Sequence, residues 1–586
     1  MIDPAFQFQH PAPSPDTTPP LNVAWRLSQM ARSRPEQWAV VAARRPSWGR
    51  ATYRTLNFRD LDASSCCLAR GLLRWGMPPG ARLVLMVKPG LEFVTWTFAL
   101  FKAGAVIVLI DPGMGRRHLV ACLEAAQPHG FITIPLAQTI RWLLGKRFPE
   151  ARWNVTVGHP WPGFAGMSQD RLRLQSDPHI TLPTTAADDP AAIIFTSGST
   201  GPPKGVLYRH GNFDRQVDEI QSQFRIEPGG CDLSCFPLFA LFNAAMGVTT
   251  VIPYMDATRP ARVDPRNILR AVEDWQITQA FGSPAVWNVV GQYCQQHQRR
   301  MPSLQRVLSS GAPVAPIVLR NMVGAIAEGG QMHTPYGATE ALPVATIEAR
   351  EVLGETAAKS ATGAGTCVGR RFPGIEWKII RAHRGPLPDL ANVEELPNGQ
   401  IGELIVTGPV VTDAYVTRIE ANSLAKIADQ GRVWHRMGDV GYLDEHNRFW
   451  FCGRMTHCVH AAHGTMYPIC CEAILNQHAR IFRSALVGVG PVGSQVPVMI
   501  CQTWKPQAPR SRADRQQLLA ELFQRAQSHS LTRTIAANHI FLRTELPVDV
   551  RHNAKIAREA LALWAEGQLS RRMGGPRATN GQTKWP

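Results

Sequence analysis

The stretch Ala191–Gly205, AAIIFTSGSTGPPKG, constrains this chain more than any other. Its apolar, β-branched opening (Ala191 to Phe195) has the pattern of a buried strand, and it breaks abruptly into hydroxyls and glycines before Lys204 and Gly205. A helical pattern follows from about Asn212 to Phe224. Gly198, Gly201 and Gly205 let backbone N–H groups crowd an oxyanion, and Thr196, Ser197, Ser199 and Thr200 add hydroxyl donors. Lys204 supplies a mobile positive charge. The stretch therefore reads as a polyphosphate cradle set between a buried strand and a helix. It is not the common nucleotide-triphosphate loop, because G-x-x-x-x-G-K-[ST] does not occur here. A plain Gly/Ser linker would not sit between two such elements.

Upstream, helical and strand patterns alternate: Leu61–Trp75, Arg82–Val87, Glu92–Ala103, then the strand-and-turn AGAVIVLIDPG at Ala103–Gly113. Such alternation predicts an α/β fold with parallel-rich sheets covered by helices. At 586 residues the chain is too long for one core. Residues 1–20 are proline-rich and read as a disordered lead-in; 21–453 form a large unit and 454–569 a small α+β unit, with a basic tail at 570–586. Within the large unit, Gln400–Phe451 is rich in hairpin signals and forms a small β-rich part, with turns near Gly431 and His446–Asn447.

The net charge of +17 favours anionic partners, whether nucleotide, phospholipid surface or acidic protein. The excess is mostly scattered arginine, with no run of five and no nucleic-acid motif, so no nucleic-acid partner is expected and the charge reads as a compositional bias. No signal-peptide pattern opens the chain, and the longest apolar runs fall far short of a membrane span. Twelve cysteines without framework spacing read as reduced thiols of a cytoplasmic protein. His457, His460 and His463 lie in a strand-and-turn context that splays them, so metal binding there is not expected.

The spelling T-S-G-S-T-G-x-P-K-G resembles the phosphate loop of the adenylate-forming superfamily of acyl-CoA synthetases, luciferases and peptide-synthetase adenylation domains. Other segments resemble its signatures in order. Gly311, Ala312 and Pro313 in SGAP, and Tyr336 and Gly337 in HTPYGATE, resemble the loops enclosing adenine and α-phosphate. The resemblance implies that Thr339 contacts the α-phosphate and Glu340 holds magnesium, that Asp439 in MGDVGY takes the ribose, and that Arg454 in FCGR makes a second ribose or phosphate contact. Lys555 in NAKIARE resembles the lysine that a mobile C-terminal lid swings onto the substrate carboxylate and α-phosphate. ATP and Mg²⁺ are the implied cofactors.

Two segments depart from thioester-forming relatives. Ala240 stands where many carry a histidine, and Met455–Cys471 contains no lysine, aspartate or glutamate, with Thr456 at the hinge position. The set FPLFALF, HTPYGATEALPVA, GAGTCVG and VDVRHNAKIARE resembles the β-lactone synthetase branch of bacterial olefinic-hydrocarbon biosynthesis. That branch implies a long-chain 2-alkyl-3-hydroxy acid as substrate, other enzymes of a hydrocarbon or lipid pathway as partners, and lactone closure by the acid's own hydroxyl. The alternatives are a fatty acid–CoA ligase and a non-catalytic acyl- or nucleotide-binding scaffold.

Overall fold

A computed structural model describes residues 20–45, 52–111, 114–159, 166–196, 203–236, 239–548 and 556–572. Two seven-stranded sheets share one design. The first runs in the order 331–333, 306–309, 279–282, 231–234, 249–252, 38–43, 53–57, and only its last pairing is antiparallel. The second runs 167–168, 153–156, 130–133, 82–86, 106–109, 190–195, 205–209, again parallel except for the final pair. Apolar runs such as Val106–Leu109 suit strands covered on both faces.

The helix Leu91–Lys102 lies between the two sheets, and only Glu92 among its residues escapes burial. Its terminal cation is tolerated there because Lys102 Nζ lies 2.6 Å from Asp62 Oδ1 and 2.8 Å from Ser65 Oγ. The glycine turn after it has no slack: a Cβ on Gly104, at φ +67°, would sit 3.1 Å from Pro183.

The hairpin-rich section forms an antiparallel eight-stranded sheet. Strands 432–443 and 449–454 sit at its centre, flanked by 402–407 and 366–371. It is pinned by a buried ion pair, Arg436 to Glu403 at 2.7 Å, whose guanidinium also donates to the carbonyls of Gly385 and Leu424. Beyond it, the hairpin 459–461/464–466 and a three-stranded sheet (481–489, 496–503, 540–543) pack with helices Pro468–Asn476, Arg512–Gln527 and Arg558–Arg572. The last helix continues through residues 570–572, into the stretch read as tail; positions 573–586 lie outside the described residues. No helix among the described residues is long and apolar enough to cross a membrane.

One local expectation is corrected. The cradle does not lead from strand to helix. It leads from the strand Pro190–Phe195 into a second strand, Gly205–Arg209, which pairs back antiparallel (Phe195 with Gly205, Ile193 with Leu207) before the helix His210–Phe224 begins. Val206, Leu207 and Tyr208 are buried, and this short apolar run gains more from the sheet than from extending the helix.

Candidate active site

The two ends of the cradle are tied together. Thr196 N donates to Lys204 O at 3.0 Å, and Lys204 N donates to Thr196 Oγ1 at 3.2 Å. Gly205 N donates to Thr417 Oγ1 at 2.8 Å, and a Cβ on Gly205 would sit 2.9 Å from Ile193 and 3.2 Å from Thr417, so only glycine fits. Ser197, Gly198, Ser199, Thr200 and Gly201 lie outside the described residues, as does Lys555.

From this anchor the site extends along a chain of polar contacts. Lys204 Nζ stands 4.7 Å above the ring of Tyr415. The Tyr415 hydroxyl donates to Glu340 Oε1 at 2.5 Å. Burial, then the Glu340 charge, pushes the Tyr415 phenol well above its usual range, so it remains a donor. Lys426 approaches the same ring, 5.8 Å from its centroid, and Lys426 Nζ donates to Thr412 O. Burial lowers the Lys426 ammonium to about 8, opposed by Glu340 and Asp413 and assisted by Lys204. The backbone of Glu340 is held by Thr412, whose N and Oγ1 donate to Glu340 O at 2.9 and 3.0 Å. Thr339 is held likewise, its carbonyl accepting from the Tyr208 hydroxyl at 2.6 Å.

The other end is built on cross-strand neighbours. Asp439 and Arg454 are register partners on adjacent antiparallel strands, and Arg454 Nε lies 3.0 Å from Asp439 Oδ1. The Tyr336 hydroxyl donates to Asp439 Oδ2. Burial and the Asp439 charge hold that phenol well above its usual range, and Asp439 raises Arg454 in turn. Gly337 sits where a Cβ would meet Ala341 O at 2.7 Å. The loop carrying Gly311 (φ +97°), Ala312 and Pro313 is tied in through Ser310 Oγ, which donates to Pro335 O at 3.1 Å. Asp439 and, from the other end, the Glu340 carboxylate both act on Arg454, so the two ends share one field.

The structure thus brings together Thr196, Lys204, Gly205, the 311–313 loop, Tyr336, Gly337, Thr339, Glu340, Asp439 and Arg454. Sequence reasoning missed Tyr415, Lys426 and Thr417. Their signal was faint: a tyrosine, a lysine and a threonine in a stretch without glycine motifs, brought to the site by the bridge of residue 206 to 415. Nearby, Ala240 is fully buried on the helix Phe239–Met246, and Phe239 stacks on Phe281 with centroids 4.1 Å apart. Thr456 lies in the turn Met455–His457; His457 faces Glu559 at 3.3 Å and His460 faces Thr465, so these two histidines point to different partners.

Two parallel-rich sheets, an antiparallel third and a glycine-hydroxyl hairpin beside paired carboxylate and cationic groups define an enzyme that activates its substrate with a nucleotide. Residues 27–416 match the AMP-binding enzyme family, and the chain belongs to that family. It is an ATP-dependent, adenylate-forming enzyme. It is 45% identical over 563 residues to the olefin beta-lactone synthetase of Stenotrophomonas maltophilia (strain K279a), covering 94% of this chain and 99% of that protein. A second olefin beta-lactone synthetase, from Xanthomonas campestris pv. campestris, is 45% identical across 93% of this chain and 98% of that protein. O-succinylbenzoate coenzyme A synthetase (MenE) from Bacillus subtilis, solved in complex with ATP and magnesium ion, shares the fold at 20% identity, with a TM-score of 0.70 and coverage of 92% and 98%.

Proposed function

We propose that the chain converts a long-chain 2-alkyl-3-hydroxy acid to a β-lactone in two steps. In the first, a carboxylate oxygen of the acid attacks the α-phosphorus of ATP and pyrophosphate leaves. In the second, the 3-hydroxyl oxygen attacks the acyl carbon, the carbon–oxygen bond to AMP breaks, and the hydroxyl proton passes to solvent. Attack within one molecule has a high effective concentration, so no coenzyme A site is needed. The observation that carries this reading is the 45% identity, across nearly the full length, to proteins named olefin beta-lactone synthetases. The uncharged opening of the small unit, Met455–Cys471, supports it.

In this reading Asp439 accepts from the ribose hydroxyls while Tyr336 and Arg454 fix its carboxylate, and Tyr336 presents its ring to the purine. Lys204 and the hydroxyls and N–H groups of residues 196–201 hold the phosphates, and Lys426 adds a second half-buried cation to that end. Thr339 contacts the α-phosphate. Glu340 fits a magnesium ion: one of its oxygens is engaged by Tyr415 and its backbone is clamped by Thr412, which leaves a positioned carboxylate beside the phosphate end. The ion would neutralise phosphate charge. Lys555 steadies the α-phosphate and the acid carboxylate from the small unit, which we place after Gly453. In support of that division, two apolar cores, around Leu475 and around Ile500, are drawn entirely from residues beyond 458. The twelve free thiols support a cytoplasmic setting, with enzymes of the same lipid or hydrocarbon pathway as its neighbours.

The test is product analysis. Given ATP, magnesium and a 2-alkyl-3-hydroxy acid without coenzyme A, the enzyme should yield AMP and a β-lactone, while an acid lacking the 3-hydroxyl should stall as its adenylate. Rapid thioester formation from a plain fatty acid and coenzyme A would overturn the reading in favour of a ligase.

A further inference from the structure

The helix Pro135–Leu143 is built inside out. The side chain it buries is Gln138, 3% exposed, whose Oε1 accepts from Arg141 Nε at 2.8 Å. Leu136, Ile140, Trp142 and Leu143 are meanwhile 55, 49, 63 and 69% exposed. Positions 136, 140 and 143 follow the i, i+4, i+7 spacing of a single stripe, so the apolar side chains form one crest rather than a scatter. A helix serving only the fold would put that stripe inward, and Leu136, Ile140 and Leu143, exposed together within eight residues, mark an interaction face.

The border of the crest says what covers it. From Pro135 to Arg152 the chain carries Arg141, Lys146, Arg147 and Arg152 against one acid, Glu150. Lys146, Arg147 and Arg152 are exposed; Arg147 also reaches Glu124 at 2.7 Å, while Lys146 and Arg152 remain at the end of the stripe. An apolar stripe with a cationic margin matches the apolar-below, anionic-above layering of a lipid headgroup region. We propose that this face docks the protein on the surface of an anionic phospholipid bilayer, the helix lying in the plane with Leu136, Ile140 and Leu143 inserted. The net charge of +17 then acts as a long-range attraction to that surface, not as a compositional accident.

The experiment uses the full chain without ATP or acid, so its outcome is independent of the chemistry proposed above. Flotation is compared on vesicles of phosphatidylcholine alone and with about 30% phosphatidylglycerol. The wild type should float with the anionic vesicles, much less with the neutral ones, and less again in high salt. Ile140→Glu/Leu143→Glu should lower binding at least about tenfold. Lys146→Glu/Arg152→Glu should remove the preference for anionic lipid. Both variants should keep wild-type melting and wild-type adenylation of a short water-soluble acid, since neither touches the cleft. A wild type that ignores vesicles, or variants that bind as well as wild type, would overturn the proposal. So would a wild-type dimer that Ile140→Glu/Leu143→Glu converts to a monomer, because the crest would then be an interface between copies.

Discussion

The two ends of the candidate site, which our proposal assigns to the phosphates and to the ribose, are built on opposite plans. At the ribose end, Asp439 and Arg454 are neighbours across one pair of strands, and Tyr336 completes a triad whose charges are already matched. At the phosphate end, Lys204, Tyr415, Lys426 and Glu340 come from separate segments and are joined by a ring, a hydroxyl and a backbone carbonyl. Two lysines there face Glu340, while Asp413, which also acts on Lys426, is paired with Arg209 at 2.7 Å. The first end is a fixed socket whose acceptor is held before any nucleotide arrives. The second holds surplus positive charge that an incoming polyphosphate would satisfy. The difference teaches that binding and turnover should separate by residue.

The sharpest way to break that contrast is Lys555→Ala. It should cut acid-dependent pyrophosphate release by about 10²–10³-fold, the usual scale for one group aimed at developing charge, with ATP affinity nearly unchanged. Undiminished release would remove Lys555 from the reaction. Asp439→Ala should do the reverse and weaken ATP binding by about 1.5–3 kcal/mol, measured by calorimetry, because a charge-assisted acceptor is lost and Arg454 is left without its partner. Unchanged affinity would reduce Asp439 to a structural residue.

The contrast is sharpened further by pH. Lys426 is lowered to about 8 from an ordinary 10.5, so it carries its charge below pH 8 and loses it above. KM for ATP should rise as pH passes upward through about 8, and Lys426→Met should flatten that limb. The effect on stability has the opposite sense. The fold holds this proton less tightly than the unfolded chain does, so Lys426 costs stability at low pH and the cost is relieved between about 8 and 10.5. Denaturant midpoints of wild type and Lys426→Met should therefore converge across that window. The smallest effect is expected from Tyr415→Phe, about 0.5–1.5 kcal/mol in kcat/KM, for one hydroxyl taken from Glu340. A larger loss would mean that the ring's station beneath Lys204 also depends on that hydroxyl.

The grouping of Tyr336, Asp439 and Arg454 was legible because each stands beside a glycine in a short motif with a spelling of its own, although all three lie in strands. The phosphate end was legible only in part. Lys204 and Glu340 lie in motifs, whereas Tyr415 owes its place to a bridge between positions more than two hundred residues apart and Lys426 to its pairing with His435, neither of which local pattern reveals. The hairpin Pro190–Phe195/Gly205–Arg209 was misread for a related reason. A five-residue strand beginning with glycine and ending with arginine carries little alternation, and its pairing partner decides its state. The parallel sheets were foreseen because repeated buried runs separated by helical periods leave few other solutions. The exposed crest at Leu136–Leu143 has ordinary amphipathic spacing, and only the folded chain shows that the apolar side points out.

The tie between Thr196 and Lys204 has a mechanical corollary. Because the paired strands 190–195 and 205–209 hold Thr196 and Lys204 against each other, a break in the backbone between 196 and 204 would leave that ladder intact. Separate polypeptides ending and beginning there should reassociate through the 190–195/205–209 ladder, giving a split enzyme whose halves co-purify yet turn over slowly. Failure of such halves to copurify would show that the intact chain crossing this point contributes to assembly itself.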